Sequence, residues 1–109
     1  MTVRATRVDA QAIASLDRTL HEPVRLGVVA CLYVVDEADF IFLQSQTGIT
    51  GGNLSSHLKR LADEGYIVVR KEFEGARPHT TLSLTADGRA RFETYLETID
   101  GMLGALRKK

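Results

Sequence analysis

The segment from Thr50 to Arg60 carries the side chains with the clearest chemical potential, because small polar residues near its start are followed by two cations. Hydroxyl and amide groups on short side chains can approach base edges closely, whereas Lys59 and Arg60 can reach phosphates or base edges. Free N–H groups at a helix start also bind phosphate. The segment therefore predicts a DNA-contacting surface, and the alternative interpretation is an ordinary solvated helix face. The candidate contacts here are Thr50, Gly52, Asn53, Ser55, Ser56, Lys59 and Arg60.

The overall charge is balanced, with 14 basic and 14 acidic residues, and this balance by itself argues against a nucleic-acid partner. The distribution of charge along the chain argues for one. The stretch from His21 to Asp39 holds four acidic residues and one basic residue, whereas Phe40 to Ala62 holds Lys59, Arg60 and no acid. A locally basic segment is thus present inside a neutral chain.

Other residue combinations do not support catalysis or metal binding. Ser55-Ser56-His57 would point in diverging directions on a helix, and it lacks both a GxSxG elbow and an orienting carboxylate. Gly51-Gly52 lacks the Lys-Ser/Thr of a P-loop. Cys31 is the single cysteine, and the three histidines share no metal-ligand spacing. We therefore expect no enzyme, no cofactor and no metal site.

With 109 residues, 44% of them hydrophobic and 26% charged, the chain can bury one modest core, which predicts a single domain over residues 1–109. No apolar run approaches the roughly 20 residues that a membrane-spanning helix needs, and no signal-peptide pattern opens the chain. We expect a cytoplasmic protein without a membrane partner.

Capping and periodicity divide the chain into an N-terminal helix over 9–20, a central region over 21–84 and a C-terminal helix over 85–107. Asp9 is a suitable N-cap for the first of these helices. Pro23 suits the first position of a second helix, which follows at once. The residues expected to face the core on this second helix are Val24, Val28, Cys31, Leu32 and Val35.

The central region continues with an acidic turn predicted over Asp36 to Asp39. Phe40 to Leu43 is compatible either with a short strand or with the start of a short helix that ends near Gly48. Thr50 predicts the N-cap of the next helix, on which leucines follow at i, i+4 and i+7 before a left-handed stop at Gly65. This is the clearest helix in the sequence.

A β-hairpin is predicted next, with strands over Tyr66 to Phe73 and His79 to Leu84 and a turn over Glu74 to Pro78. Arg77 in this turn is a candidate minor-groove contact, because the negative potential of a narrow minor groove attracts arginine. The alternative is a solvated turn arginine, which the nearby Glu74 favours.

The last helix begins after Thr85, and its apolar residues are spaced 4, 3, 4 and 3 apart, as in a heptad seam. The seam either covers the helix's own domain or pairs two chains. We favour pairing, because the apolar stripe is long for so small a core. The predicted dimer interface comprises Leu16, Leu20, Phe92, Leu96, Ile99, Leu103 and Leu106.

The order of a short helix, a tight turn, a polar-faced helix and a hairpin is that of a winged helix-turn-helix. Three motifs in one register make the likeness more specific: Asn53-Leu54-Ser55, His57-Leu58 and Gly65-Tyr66. With them the chain resembles, over nearly its whole length, the small winged-helix transcriptional regulators related to the MarR and ArsR families. The resemblance implies sequence-specific DNA binding as a homodimer.

Together these observations predict an α+β, mainly helical fold: a winged helix-turn-helix with flanking N- and C-terminal dimerisation helices. The expected function is transcriptional regulation through double-stranded DNA bound by a homodimer. One alternative is a winged-helix module that binds protein and not DNA, which the near-neutral charge and sparse wing favour. The other is a ligand-sensing regulator with a pocket at the dimer interface.

Overall fold

The structure, a computed structural model, describes residues 9–108 and shows five helices and three strands there. The helices are α1 (Ala10–Ala14), α2 (Pro23–Val35), α3 (Phe40–Thr47), α4 (Gly51–Asp63) and α5 (Ala86–Arg107). The strands β1 (Glu37–Asp39), β2 (Ile67–Glu74) and β3 (Arg77–Leu84) form one antiparallel sheet in the order β1-β3-β2. The mainly helical winged-helix fold predicted from the sequence is confirmed.

Local capping fixes where most of these helices begin and end. The side chains of Asp9, Thr50 and Thr85 each accept a hydrogen bond from a backbone N–H in the first turn of α1, α4 and α5. Gly48 ends α3 and Gly65 follows α4, with φ of 70° and 81°, a conformation that glycine adopts without strain. The segment that begins at Phe40 is therefore the short helix ending near Gly48, and the alternative of a short strand is wrong.

The core lies where α2, α3, α4 and the start of α5 meet the sheet. On α2, Val28 and Leu32 are fully buried as predicted, but Val35 is 41% exposed because the helix ends there. Val29 is fully buried and was not predicted to face the core. The buried apolar residues are Leu20, Val28, Val29, Leu32, Ala38, Leu43, Leu54, Leu58, Leu61, Tyr66, Ile67, Leu82, Phe92 and Tyr95.

The N-terminal helix predicted over 9–20 is wrong in its extent, since α1 ends at Ala14 and the chain continues to Glu22 in turns. The Asp17 carboxylate accepts the backbone N–H of Thr19 at 2.9 Å, which replaces a helical hydrogen bond by a local turn. This turn carries Leu20 into the core, where it is completely buried. Residues 1–8 and 109 of the predicted single domain lie outside the described part of the chain.

Two details of the sheet differ from the sequence prediction. The predicted acidic turn is β1 over most of its length, and Ala38 pairs with Leu82 of β3. The predicted five-residue turn over 74–78 is tighter, because Glu74 pairs with Arg77 and leaves only two residues between the strands. The wing is therefore a longer and narrower hairpin than the sequence indicated.

The molecule is elongated, with principal extents of 72 × 26 × 21 Å, and α5 is its longest helix at 22 residues. The first half of this helix packs on the core through Phe92 and Tyr95. Further along, Leu103 and Leu106 are 40% and 47% exposed. Within residues 9–108, no helix has both the length and the apolar character that crossing a membrane requires.

Candidate nucleic-acid interface

The surface of α4 that faces solvent is the one predicted to bind DNA. Leu54, Leu58 and Leu61 anchor the opposite face in the core. Because these leucines fix the rotation of the helix, its polar residues must point outward. All seven candidates on this segment are exposed: Thr50, Gly52, Asn53, Ser55, Ser56, Lys59 and Arg60.

The start of α4 is open on one side only. A Cβ at Gly51 would contact Gln44 and Phe40 of α3 at 3.7 and 3.8 Å, whereas a Cβ at Gly52 would meet nothing within 4 Å. Of the two glycines, only Gly52 therefore leaves the helix backbone accessible to a ligand. Asn53 and Ser56 lie on the same exposed side, within one turn of it.

Both cations of α4 have acidic partners one helical turn further on. Lys59 Nζ lies 2.9 Å from Asp63 Oδ2, and Arg60 Nε lies 3.9 Å from Glu64 Oε2. Such exposed i,i+4 pairs contribute only about 0.3–0.5 kcal/mol, so a phosphate can displace the carboxylates. The sequence analysis missed this pairing because it ended the basic segment at Ala62, although the i,i+4 spacing was visible.

His57 has a structural role, as its position near the core edge suggests. Its Nδ1 accepts a hydrogen bond from Arg25 Nη1 at 3.1 Å and lies 3.6 Å from Glu22 Oε1. Desolvation acts to raise the pKa of Glu22, but backbone N–H donors at Arg25 and Val24 and the nearby positive charges outweigh it and lower that pKa. These contacts tie the start of α2 to the side of α4.

The hairpin presents two different faces. A groove of about 320 Å³ separates the hairpin from α4. The hairpin lines it with Val69, Lys71 and Thr80, and α4 lines it with Ser55 and Lys59. Arg77 is exposed at the end of the hairpin, as predicted. However, its direct cross-strand partner is Glu74, so the two opposite charges share one face.

A second polar cluster joins the N-terminal turn to α5 and to the end of α4. The Tyr66 hydroxyl donates to Asp17, and Arg91 reaches Asp17 Oδ2 at 2.9 Å, the carbonyl oxygen of Glu64 at 2.8 Å and the Tyr66 ring at 4.0 Å. Burial and the Asp17 hydrogen bond raise the pKa of Tyr66. Sequence reasoning missed this cluster, because its members are dispersed along the chain.

Beside this cluster lies an open cavity of about 300 Å³ between the N-terminal turn and α5. It lies within one chain, whereas the ligand-sensing alternative assumed a pocket between two chains. Its lining residues are Ser15, Leu16, Asp17, Ala90, Arg91, Thr94, Tyr95 and Thr98.

The residues predicted to form a dimer interface fall into two groups. Leu20 is completely buried and Phe92 is only 4% exposed, so both belong to the chain's own core. Leu20 is buried because the chain turns inward before α2. Phe92 packs edge-on against Tyr33, with 5.2 Å between the centroids of the two rings. The remaining candidates are partly or largely accessible: Leu16, Leu96, Ile99, Leu103 and Leu106.

Comparison with known proteins identifies the family. The sequence profile of a family described as winged helix DNA-binding domain matches residues 24–103. An uncharacterized protein of Methanocaldococcus jannaschii is 33% identical over 82 residues, covering 75% of this chain and 89% of the relative.

Solved structures support the same assignment. A transcriptional regulator homologue from Pyrococcus horikoshii OT3 superposes with a TM-score of 0.80 at 28% identity, over 89% of this chain and 94% of the other. The transcriptional repressor BigR from Xylella fastidiosa superposes with a TM-score of 0.62 at 30% identity, over 78% of this chain and 80% of the other. The resemblance to small winged-helix regulators related to MarR and ArsR is confirmed, and such regulators are not enzymes. The chain thus belongs to the winged helix DNA-binding domain family and is a DNA-binding transcriptional regulator.

Proposed function

We propose that this regulator recognises specific double-stranded DNA sequences as a cytoplasmic homodimer. The observation that carries the proposal is the exposed side of α4, where small polar side chains surround an accessible backbone at Gly52 and cations follow further along. An α-helix fits the major groove of B-DNA, where each base pair presents a distinct pattern of donors and acceptors. α4 is therefore the proposed recognition helix.

Within this helix, two kinds of side chain have different tasks. Asn53, Ser55 and Ser56 are short and reach base edges only where the backbone is close, so they are proposed to select the sequence. Lys59 and Arg60 have the length to reach phosphates at the groove edge. Thr50 caps the helix start and presents its hydroxyl beside the first free N–H groups. Arg77 is proposed to add a contact from the hairpin.

The apolar stripe of α5 supports the homodimer. Leu96, Leu103 and Leu106 are each at least 40% exposed, and they extend the line of Ile99 along one side of a 22-residue helix. At 1.5 Å per residue, such a helix is about 33 Å long, more than the small core needs. Two copies of the stripe packed together would remove it from water and place two copies of α4 in one particle.

The salt dependence of DNA binding tests the role of α4. If a dimer neutralises about six phosphates, the logarithm of the association constant falls against the logarithm of salt concentration with a slope near −5. Lys59→Gln removes one cation per subunit and should flatten the slope by about two. Asp63→Asn should raise the affinity at low salt, because it frees Lys59 from its partner at 2.9 Å. Fluorescence anisotropy with a duplex from the protein's own promoter region provides the measurement.

Arg107→Gln serves as the control, since it removes an exposed cation from the far end of α5 and should leave the slope unchanged. A slope that Lys59→Gln does not alter, in a variant with the wild-type thermal unfolding profile, would exclude this helix face as the phosphate contact. Failure of the wild-type protein to bind any duplex would favour the protein-binding module.

A further inference from the structure

One face of the hairpin points toward α4 and the other points away from it. The pairing register of β2 and β3 determines the face on which each residue lies. Val69 and Lys71 line the groove beside α4. Side chains on a strand alternate between faces, so Phe73 shares the side of Val69 and Lys71. Its direct cross-strand partner is Pro78. The α4-facing side of the hairpin therefore ends in an aromatic ring and a proline.

The opposite face of the hairpin is a poorer surface for DNA than the α4-facing side, and Arg77 at its tip contacts DNA only by leaving its cross-strand partner Glu74. Glu72 and Glu74 lie there, and Glu74 is the direct partner of Arg77. Arg70 on the same face lies 3.9 Å from Glu72 through its guanidinium. Each cation on this side is thus offset by a neighbouring carboxylate, and the two acids would repel a phosphate backbone.

The Phe73 ring is largely exposed to solvent. Its side chain is 73% accessible, although exposure of an aromatic ring to water is unfavourable. The hairpin ends two residues further on, in a turn of Gly75 and Ala76, whose small side chains leave the ring unobstructed. No residue among 9–108 buries it.

The ring is also continuous with the proposed DNA-binding surface. The groove between α4 and the hairpin has Lys59 on one wall and Lys71 on the other, so a phosphate backbone at the edge of the major groove would lie between them. Phe73 lies about 7 Å beyond Lys71 along the strand, at 3.3 Å per residue. With α4 in the major groove, a side chain at that distance would lie past the backbone, above the adjacent minor groove.

We propose that the hairpin meets DNA through its α4-facing side, with Lys71 on the backbone and Phe73 inserted into the minor groove as an apolar wedge. The inference rests on the proposed function, in which α4 occupies the major groove. Apolar side chains that enter the minor groove partly unstack a base step and bend the duplex. Flexible pyrimidine–purine steps bend most easily, so the hairpin would select DNA by its deformability.

A bending assay on the full-length protein tests the inference. A duplex selected by the wild-type protein, labelled at both ends for fluorescence energy transfer, reports the bend, and anisotropy reports the affinity. Phe73→Ala should abolish the bend and weaken binding roughly tenfold, without changing the salt slope, because no charge is removed. Phe73→Leu should keep most of both effects, because it retains an apolar wedge. Lys71→Gln should flatten the salt slope.

Val68→Ala is the matched control, since Val68 is an exposed apolar residue of the same strand on the other face, and it should leave bend and affinity unchanged. If the wild-type protein binds and Phe73→Ala bends DNA equally, the wedge is excluded while the proposed function stands. If Phe73→Ala instead changes the sedimenting mass, the ring belongs to a contact between copies and the inference is overturned. If the wild-type protein binds no duplex, both proposals fail.

Discussion

At the scale of single residues, Gly88 is the glycine that approaches neighbouring backbone most closely among the glycines of residues 9–108, and the backbone it approaches is that of Tyr66. A Cβ at position 88 would lie 2.2 Å from the Tyr66 carbonyl oxygen. Thr85 reinforces the contact, since its N–H donates to that same carbonyl at 2.9 Å and its hydroxyl donates to Gly65 at 2.6 Å. The first turn of α5 is thereby fixed against the segment that connects α4 to the hairpin.

Gly88→Ala should therefore lower the free energy of unfolding by about 2 kcal/mol, because α5 must move away from Tyr66 to admit a methyl group. Gly101→Ala, in the same helix but with nothing within 4 Å of its Cβ position, should raise that free energy by up to about 1 kcal/mol through helix propensity. Urea denaturation measures both variants. Equal effects of the two substitutions would show that the close approach to Tyr66 is not a packing constraint.

The lowered pKa of Asp17 predicts that the folded protein loses stability at acidic pH. Burial acts to raise the pKa of Asp17, but hydrogen bonds from Tyr66, Arg91 and Thr19 outweigh it, so the pKa lies below its ordinary value of 3.8. A carboxyl whose pKa is depressed by folding stabilises the protein above its unfolded-state pKa, and this stabilisation disappears as the pH falls through the folded-state pKa.

Unfolding free energy should thus decline between about pH 5 and pH 2, and the decline should be smaller in Asp17→Asn. Asp63→Asn alters an exposed carboxylate whose ionic partner among residues 9–108 is Lys59, so this variant serves as the control and should follow the wild-type profile. Urea titrations at a series of pH values provide the measurement. Parallel profiles for wild type and Asp17→Asn would show that the cluster does not contribute to acid sensitivity.

At the scale of elements, features specified by neighbouring residues were predictable and those specified by distant partners were not. α4 follows from the leucine spacing and the Thr50 cap, which are both local. β1 exists only because Ala38 pairs with Leu82 of β3, and three residues carry too little pattern to show it. After α1 the Asp17 carboxylate forms a local turn with Thr19, and its position is fixed further by bonds to Tyr66 and Arg91, which are 49 and 74 positions away.

The candidate site shows the same division. The exposed residues of α4 were found because one helix carries them all in consecutive turns. The faces of the hairpin could not be assigned until the register was known, because shifting the turn by one residue exchanges Arg77 with Pro78. The sequence therefore indicated Arg77 as the DNA contact from the hairpin, whereas the register indicates Phe73.

The α5 element makes a prediction of its own. Leu103→Glu places a charge in the exposed apolar stripe, beyond the core, and should convert a dimer into a folded monomer, because a buried unpaired carboxylate is costly. Thr94→Glu puts the same charge on the other side of α5 and should leave the dimer intact. Sedimentation velocity gives the mass, and circular dichroism checks the fold. An unchanged mass for Leu103→Glu would place the interface elsewhere.

At the scale of the whole molecule, the separation between the core and the end of α5 has a consequence for DNA recognition. The chain is 72 Å long, and its proposed recognition helix and its proposed dimer stripe belong to different parts of it. A two-fold dimer held by α5 presents two copies of α4 related by symmetry. The two copies would contact one face of a duplex only if the half-sites are separated by about one helical turn, ~10 bp, or a small multiple of it.

Footprinting of the wild-type protein on duplexes selected from a random pool tests this account most directly. We predict protection of an inverted repeat, with two equal half-sites about 10 bp or a small multiple apart, and an association constant that falls steeply with salt. Ser56→Ala should reduce the discrimination between this repeat and mismatched sites more than it reduces non-specific affinity. Protection of one asymmetric site per dimer, or equal affinity for selected and randomised duplexes, would contradict recognition by a symmetric pair of α4 helices.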